Sequence, residues 1–361
     1  MPSANYSARD AEDREVHGRI SARTLEEART ALASRGMREI VFRTDPVTDL
    51  PEPPDGHERT VAPSTPLRAV WESFASHWFL WAFDGLALWL AASRGAVLLV
   101  LATLMVVASL AYWLLIALPI LAYQRLQDAK ARDAWAEVAA LLRFLRFSNE
   151  RLIRNATLRH AYDTEEARMW AATGRLEAAL QRCASFLSAE PSPSELATNH
   201  MLRLGLYANA GKNDEARASA REAARLCPDV GANWSEVAMQ EARFGAIDQA
   251  YEALARAATL ERSTLAKRHE QLALALVLLR EEDSVLALGE TASVIRQLSE
   301  GGHTTPGYRA FAYMLHAAAL AGTGHVEDAE RFVAAARPRL GTTEGDLIER
   351  AERAIADARS T

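Results

Sequence analysis

The chain writes one short phrase four times: GRLEAA (Gly174–Ala179), GKNDEA (Gly211–Ala216), GAIDQA (Gly245–Ala250) and GHVEDA (Gly324–Ala329). The shared form is Gly-x-x-[Asp/Glu]-x-Ala, and successive glycines stand 37, 34 and 79 residues apart. The last interval leaves room for two units with an insertion. Glycine ends a helix because it tolerates the left-handed backbone that a helix stop often needs. The acidic residue three places on opens the next helix, where it favours the positive end of the helix dipole and meets unpaired N–H groups. The alanine lets the two helices approach closely. Each phrase therefore predicts a tight helix–turn–helix corner, and a period near 34 residues predicts stacked helical hairpins forming a solenoid.

The flanking residues keep the same register. Trp170, Tyr207 and Leu320 each stand four residues before a corner glycine. Cys183, Phe186 and Pro191 follow Ala179; Ala220, Ala223 and Pro228 follow Ala216; Leu254 and Ala257 follow Ala250. This pattern resembles the tetratricopeptide repeat, with its aromatic or Leu, its Gly, two Ala positions and a closing Pro. The resemblance covers roughly residues 155–340 and is specific in the repeats starting near Ala197, Gly231 and Ala310. Near residue 160 it is weaker, because Glu166 takes a normally apolar position. Near 268 it is degenerate: Glu282 replaces the corner glycine, and Leu274, Ala275, Leu278 and Ala287 hold the register. The alternative is an ordinary antiparallel helical bundle. The expected fold class is mainly α, with a right-handed helical-hairpin solenoid over 155–341 and a C-terminal capping helix over 342–361.

The resemblance implies a concave groove lined by the first helix of each pair. The matching positions are Met201, Gly205 and Ala208; Ser235, Met239 and Ala242; His269, Leu272, Leu276 and Leu279; and Phe311, Met314 and Ala318. They are mostly small or apolar, a surface suited to a protein partner that offers an amphipathic helix or an extended apolar segment. The Lys/Asn set with which some such domains clamp a chaperone's C-terminal carboxylate is missing. The alternative for each position is that it belongs to the core.

From Gly95 to Gln124 no residue is charged, and Ala96–Tyr123 exceeds the roughly 20 residues that cross a bilayer core. Pro119 is placed to kink its last turn. The preceding stretch, Leu67–Ser93, holds four of the eight tryptophans together with Glu72, Ser73, Ser76, His77 and Asp84. Spacings of three, four and eight put most of these polar residues on one helical stripe. Two readings stay open: a first spanning helix with its stripe against a partner helix, or an amphipathic helix lying among headgroups. Over 67–124 the first reading gives a hairpin of 67–93 and 96–123 that turns at Ser93-Arg94-Gly95. Arg125, Lys130 and Arg132 follow the strong span, whereas the turn offers only Arg94. The positive-inside rule then puts the repeats in the cytoplasm, beneath a membrane of the bacterial inner type.

Residues 125–154 read as one long helix from about 127, with Trp135, Val138, Leu142 and Leu145 on one face. It either caps the first repeat or offers Arg143, Arg146, Arg151 and Arg154 to anionic headgroups, and the two roles are compatible. At the other end, residues 1–45 read as strand, helix and strand: Val16–Ala22, Leu25–Arg35 stopped by Gly36, and Glu39–Arg43. Over about 30 residues this unit resembles the N-terminal module of type II secretion F-type membrane proteins; the alternative is a generic small α/β module. Residues 46–66 form an extended linker, and Asp45–Pro66 holds six of the thirteen prolines.

Composition narrows the chemistry. The net charge of −6 is spread over both signs, which argues against a nucleic-acid-binding face. Cys183 and Cys227 have neither zinc nor disulfide-framework spacing. Residues 1–30 are polar and charged, unlike a signal peptide. No phosphate loop, dinucleotide fingerprint or Ser elbow is present: Gly322-Thr-Gly324 is a repeat corner, and His269-Glu270 has no second histidine at helical spacing. No catalytic residue, cofactor or metal is expected. His77 and Asp84, two helical turns apart, are the ionisable pair at membrane depth. Two function classes follow: a membrane-anchored scaffold that assembles protein partners, or a membrane subunit of a secretion, transport or proteolytic complex whose hairpin is the active part.

Overall fold

Three strands and one helix build the N-terminal module. Strands β1 (Ser3–Arg9), β2 (Glu15–Ser21) and β3 (Arg38–Arg43) form an antiparallel sheet in the order β2-β1-β3. Helix α1 (Leu25–Ala33) buries Ala28 and Leu32, one turn apart, against it, and Gly36 ends the helix at φ +80°. The computed structural model describes residues 3–10, 14–21, 25–43, 65–92, 94–261, 263–299 and 305–360, so most of the proline-rich linker expected over 46–66 lies outside the described residues. The central strand β1 was not foreseen, and the strand–helix–strand expectation is corrected to a three-stranded sheet. SANYSAR is mostly small and polar, and the alternation that marks a half-buried strand is almost absent from it.

Next comes a long helical hairpin. Helix α2 (Pro66–Ser76) starts at Thr65, whose Oγ1 accepts from the Arg68 N–H at 3.2 Å. It breaks at His77, whose Nδ1 lies 2.8 Å from the Ser73 carbonyl, and resumes as α3 (Trp78–Ala92). After Gly95, α4 (Ala96–Tyr112), a π-helical turn (Trp113–Ala117) and α5 (Leu118–Ala131) run as one helix. Pro119 has no N–H for the carbonyl one turn back, and the wider π turn sits immediately before it. Helix α3 packs on α4, and α2 on α5. Polar atoms line the seam: Ser109 Oγ lies 3.3 Å from Asp84 Oδ1, Trp113 Nε1 donates to Ser73 Oγ at 3.0 Å, and Arg125 pairs with Glu72. The polar stripe of 67–93 thus faces its partner helix.

The single long helix expected from 127 to 154 is two helices. Asp133 adopts φ +54°, the Ala134 N–H bonds back to the Ala129 carbonyl, and α6 (Trp135–Ser148) folds back along α5. The apolar face read from the sequence is real, but it is spent on α5: Val138, Leu142 and Leu145 bury against Ala122, Leu126 and Ala129.

Helical pairs follow: α7 (Ala156–Ala172) with α8 (Leu176–Ala184), α9 (Pro193–Asn209) with α10 (Asn213–Leu226), and α11 (Gly231–Phe244) with α12 (Ile247–Ala258). Then come α13 (Thr264–Arg280) with α14 (Ser284–Ser299), and α15 (Pro306–Gly322) with α16 (Val326–Ala336). Helix α17 (Gly345–Ser360) closes the row against α15 and α16. Consecutive helices pack, and α7 on α9, α11 on α13 and α13 on α15 pack across pairs, so the helices stack as a solenoid does. Glu166 can stand where an apolar residue is usual because Arg146 of α6 pairs with it at 2.8 Å.

The corners repeat in detail. Ala179, Ala216, Ala250 and Ala329 are completely buried. Gly174, Gly211 and Gly324 have φ of +84°, +70° and +85°. At each, the next N–H reaches back five residues: Arg175 to Trp170, Lys212 to Tyr207, His325 to Leu320. The aromatic or leucine before the glycine therefore supplies the carbonyl that the corner closes on. Asp283 makes the same bond to Leu278, and Glu282 occupies the left-handed position at φ +62° without being glycine. Gly245 is needed for another reason: its φ is −115°, and a Cβ would lie 1.8 Å from Glu241 Oε2. Glu282→Gly is expected to raise stability by about 0.5–1 kcal/mol, the left-handed strain of a non-glycine residue less the entropy that glycine adds to the unfolded chain. Gly211→Val should lower it by more. Paired thermal unfolding of the two variants measures both signs.

Candidate functional site

The face formed by the first helices of the pairs was the expected partner groove, and the structure splits it in two. Over α11–α15 it is filled. Met239, Leu272, Leu276 and Met314 are buried in one continuous core. As an open binding surface these four positions are corrected: they are packing residues. Phe311 is half-buried, with the Arg243 guanidinium 5.9 Å from its ring centre. Ala242 and Ala318 are buried as well. Met201 and Gly205 on α9 keep partial exposure, and Gly205 lies beside Arg168, whose Nε would stand 3.7 Å from a Cβ there. The corner residues Gly174, Gly211, Gly245 and Gly324 serve structure.

The chain's own C-terminal segment closes one end of this face. Arg243, at the end of α11, donates to the Thr343 carbonyl at 2.9 Å and pairs with Asp346 at the start of α17. Its guanidinium also stacks 4.7 Å from the Phe244 ring centre. Arg280 of α13 donates to the Glu241 and Ala242 carbonyls, both at 3.1 Å, and so supports the same end of α11. Leu340, Leu347 and Ala351 join the repeat core. On the other side of this strap, Gly341 abuts the Asp133 carboxylate and Gly307 abuts Ala131, so the strap also touches the α5–α6 corner. Sequence reasoning missed it, because a contact 103 residues long has no local signal.

A polar row crosses the same face, one residue from each of three helices. His269 Nε2 lies 3.5 Å from Glu236 Oε1, and its ring stacks on Tyr308 at 6.5 Å between centres. Ser235 donates to Glu270 at 2.7 Å. Burial pushes the His269 pKa down, but the adjacent Glu236 carboxylate outweighs it and the net direction is up. Burial pushes the Tyr308 phenol up. No group of three His, Cys, Asp or Glu among the described residues could hold a metal.

His316 sits deeper still. It is completely buried, with Nδ1 2.8 Å from Thr291 Oγ1, the Phe332 ring edge-on at 4.8 Å, and Nε2 without a partner. With the hydroxyl proton on the Ala287 carbonyl, Nδ1 carries the ring proton and the neutral imidazole fits an apolar core.

The hairpin is the second candidate. Trp78, Phe83, Trp89, Val97, Leu104 and Ile120 represent a continuous belt of exposed large apolar side chains on it. One helix, Ala96–Ala131, is long and apolar enough to cross a membrane, and only 11% of its most apolar window is buried. Inside the seam, Asp84 is 4% exposed and its Oδ2 has no partner.

Two outcomes follow. Burial holds the His316 pKa at about 3 against an ordinary 6.5, so between those values the unfolded chain takes up a proton that the folded chain refuses. Stability should therefore fall below pH 6.5 with a His316 component of up to about 1.4 kcal/mol per pH unit, and His316→Leu should flatten that part of a denaturation-versus-pH profile. Arg243→Ala removes charged hydrogen bonds worth roughly 1.5–3 kcal/mol, which should speed tryptic cleavage after Arg339 about tenfold or more under conditions where cleavage follows the open population. No protein-family model matches the chain, and no curated protein matches it.

Proposed function

We propose that this chain is a membrane-anchored scaffold, a tetratricopeptide-like right-handed solenoid held at the cytoplasmic face by a spanning hairpin. One observation carries the reading: a helix whose upper part has no charged residue and exposes a run of large apolar side chains continues, unbroken, into the cluster that packs it against α6 and the first repeat helix. Its mechanism is tethering, since anchoring raises the local concentration of whatever the repeats capture. The half-open face of α9, around Met201 and Gly205, is the place for a protein partner, because the rest of the face is buried.

Topology supports two crossings. Strand β1 packs on α14, and Phe42 reaches the repeat core. That contact sets the chain before the hairpin beside the chain after it, which favours an even number of crossings. Arg125, Lys130 and Arg132 at the repeat end, against Arg94 alone at the tip, favour the cytoplasm for that side. The unpartnered Asp84 oxygen favours a second reading, in which the hairpin is the working part of a secretion, transport or proteolytic complex.

Activity reporters inserted at Thr60 and fused after Thr361 should both report the cytoplasm; opposite sides would reject the hairpin. For the scaffold, a partner crosslinked to the full chain should be lost on Met201→Glu and kept on Asp84→Ala. The reverse result selects the second reading.

A further inference from the structure

The fold-back of α6 has a geometric consequence. Glu165 of α7 meets Gln127 at 3.3 Å and Lys130 at 3.0 Å, and Tyr162 stacks near Tyr123 with ring centres 6.4 Å apart. Both pairings step in the same direction, so α7 runs parallel to α5. From Glu165 back to Ala156 is nine residues, roughly 13.5 Å of helix. The same rise along α5 ends near Pro119 and Ile120, where that helix has its last exposed large apolar side chain. The α6–α7 corner therefore stands level with the end of that helix's exposed apolar run, although it is 30 residues further along the chain.

The corner's surface matches that position. Phe147 is 62% and Leu152 51% exposed, in a protein whose other large apolar exposures lie mostly on the hairpin. Arg143, Arg151, Arg154 and Arg159 are exposed and, among the described residues, have no carboxylate partner. Glu150 is the one acidic residue between Arg143 and Tyr162. Arg146, by contrast, faces inward to Asp163 and Glu166. The loop is also built rather than slack. Asn149 and Asn155 exchange side-chain and backbone hydrogen bonds at 3.0 Å each, Asn155 caps α7 through the Leu158 N–H, and Arg154 holds φ +54°. Apolar tips among unpaired arginines, fixed beside an apolar belt, are the chemistry of an interfacial anchor on anionic lipid.

We propose that this corner is a second, peripheral membrane contact: Phe147 and Leu152 enter the headgroup boundary and the four arginines meet anionic lipid phosphates. It rests on the hairpin reading and adds to it, because two separated contacts fix the tilt of the repeats against the bilayer where a hairpin alone would leave it free.

The test uses the full chain in nanodiscs of mixed phosphatidylglycerol and phosphatidylcholine, with Cys183→Ala and Cys227→Ser, and a spin label at Leu152→Cys, Leu98→Cys or Leu265→Cys. Relative accessibility to oxygen and to a water-soluble nickel chelate reads depth. The label at 98 should read the bilayer interior, the label at 152 the headgroup boundary, and the label at 265 water. Each arginine beside an anionic surface contributes roughly five-fold to occupancy. Leaving out phosphatidylglycerol, or reversing Arg143, Arg151 and Arg154 to Glu, should therefore move the label at 152 into water. A label at 152 in water while 98 reads the interior overturns the proposal and leaves the hairpin standing. A label at 98 in water overturns both. A label at 152 that stays at the boundary without anionic lipid and after charge reversal overturns the role of the arginines.

Discussion

Everything in this molecule hangs on one helix that has to satisfy two surroundings. Over Val97–Ile120 most of its large apolar side chains are exposed, with Trp113 and Leu118 buried; over Ala122–Ala129 it buries Ala122, Leu126 and Ala129 completely. The change takes place within two turns, just after the π-helical segment at Trp113–Ala117 and Pro119. An extra residue in a helical turn rotates the following face by about 100°, so the bulge decides which side of α5 meets α6. Charge then locks the orientation. Glu165 is buried among Gln127, Lys130 and Arg168, and burial alone would raise its carboxyl pKa. The two cations reverse that, and the net direction is down. Removing either partner would strand a buried charge, which is far costlier than the pair is stabilising.

The parts of the fold that could be read from the sequence are those fixed by neighbours along the chain. A corner is a local object: Gly211 needs its left-handed φ because Lys212 must reach the Tyr207 carbonyl, and all three residues lie in one short stretch. The same bond at Leu278 and Asp283 shows that the degenerate repeat keeps its geometry although Glu282 has lost the glycine. Gly245 followed the pattern for a different cause, crowding by the Glu241 carboxylate that Arg217 and Arg221 hold in place. The stripe Ser73, His77, Asp84 was legible too, since a one-sided polar row on an apolar helix requires a partner face.

What could not be read depends on where distant segments return. The face of Trp135, Val138, Leu142 and Leu145 was correctly apolar, but periodicity does not say whether a helix continues or doubles back, and Asp133 in a left-handed turn carries no marker residue. Strand β1 is polar enough to look like loop until β2 and β3 flank it. Met239, Leu272, Leu276 and Met314 were placed on a groove by the repeat pattern alone. Whether such a face is open depends on the length and path of the chain that follows the last repeat, and here Arg243 recruits Thr343 and Asp346 to it.

That self-occupation narrows what a partner can be. The strap joins the α11–α15 face to the α5–α6 corner, where Gly341 meets Asp133 and Gly307 meets Ala131. Any ligand that entered there would have to break the Arg243–Asp346 pair and also disturb the base of the hairpin, a double cost for one site. A ligand on α9 meets neither obstacle, and Met201 and Gly205 offer it a small, apolar, partly exposed surface beside Arg168. In the proposed scaffold, the end of the solenoid nearest the hairpin is therefore the end suited to capture. A partner held there stands close to the proposed membrane surface, which is where tethering gains most from a short, stiff connection.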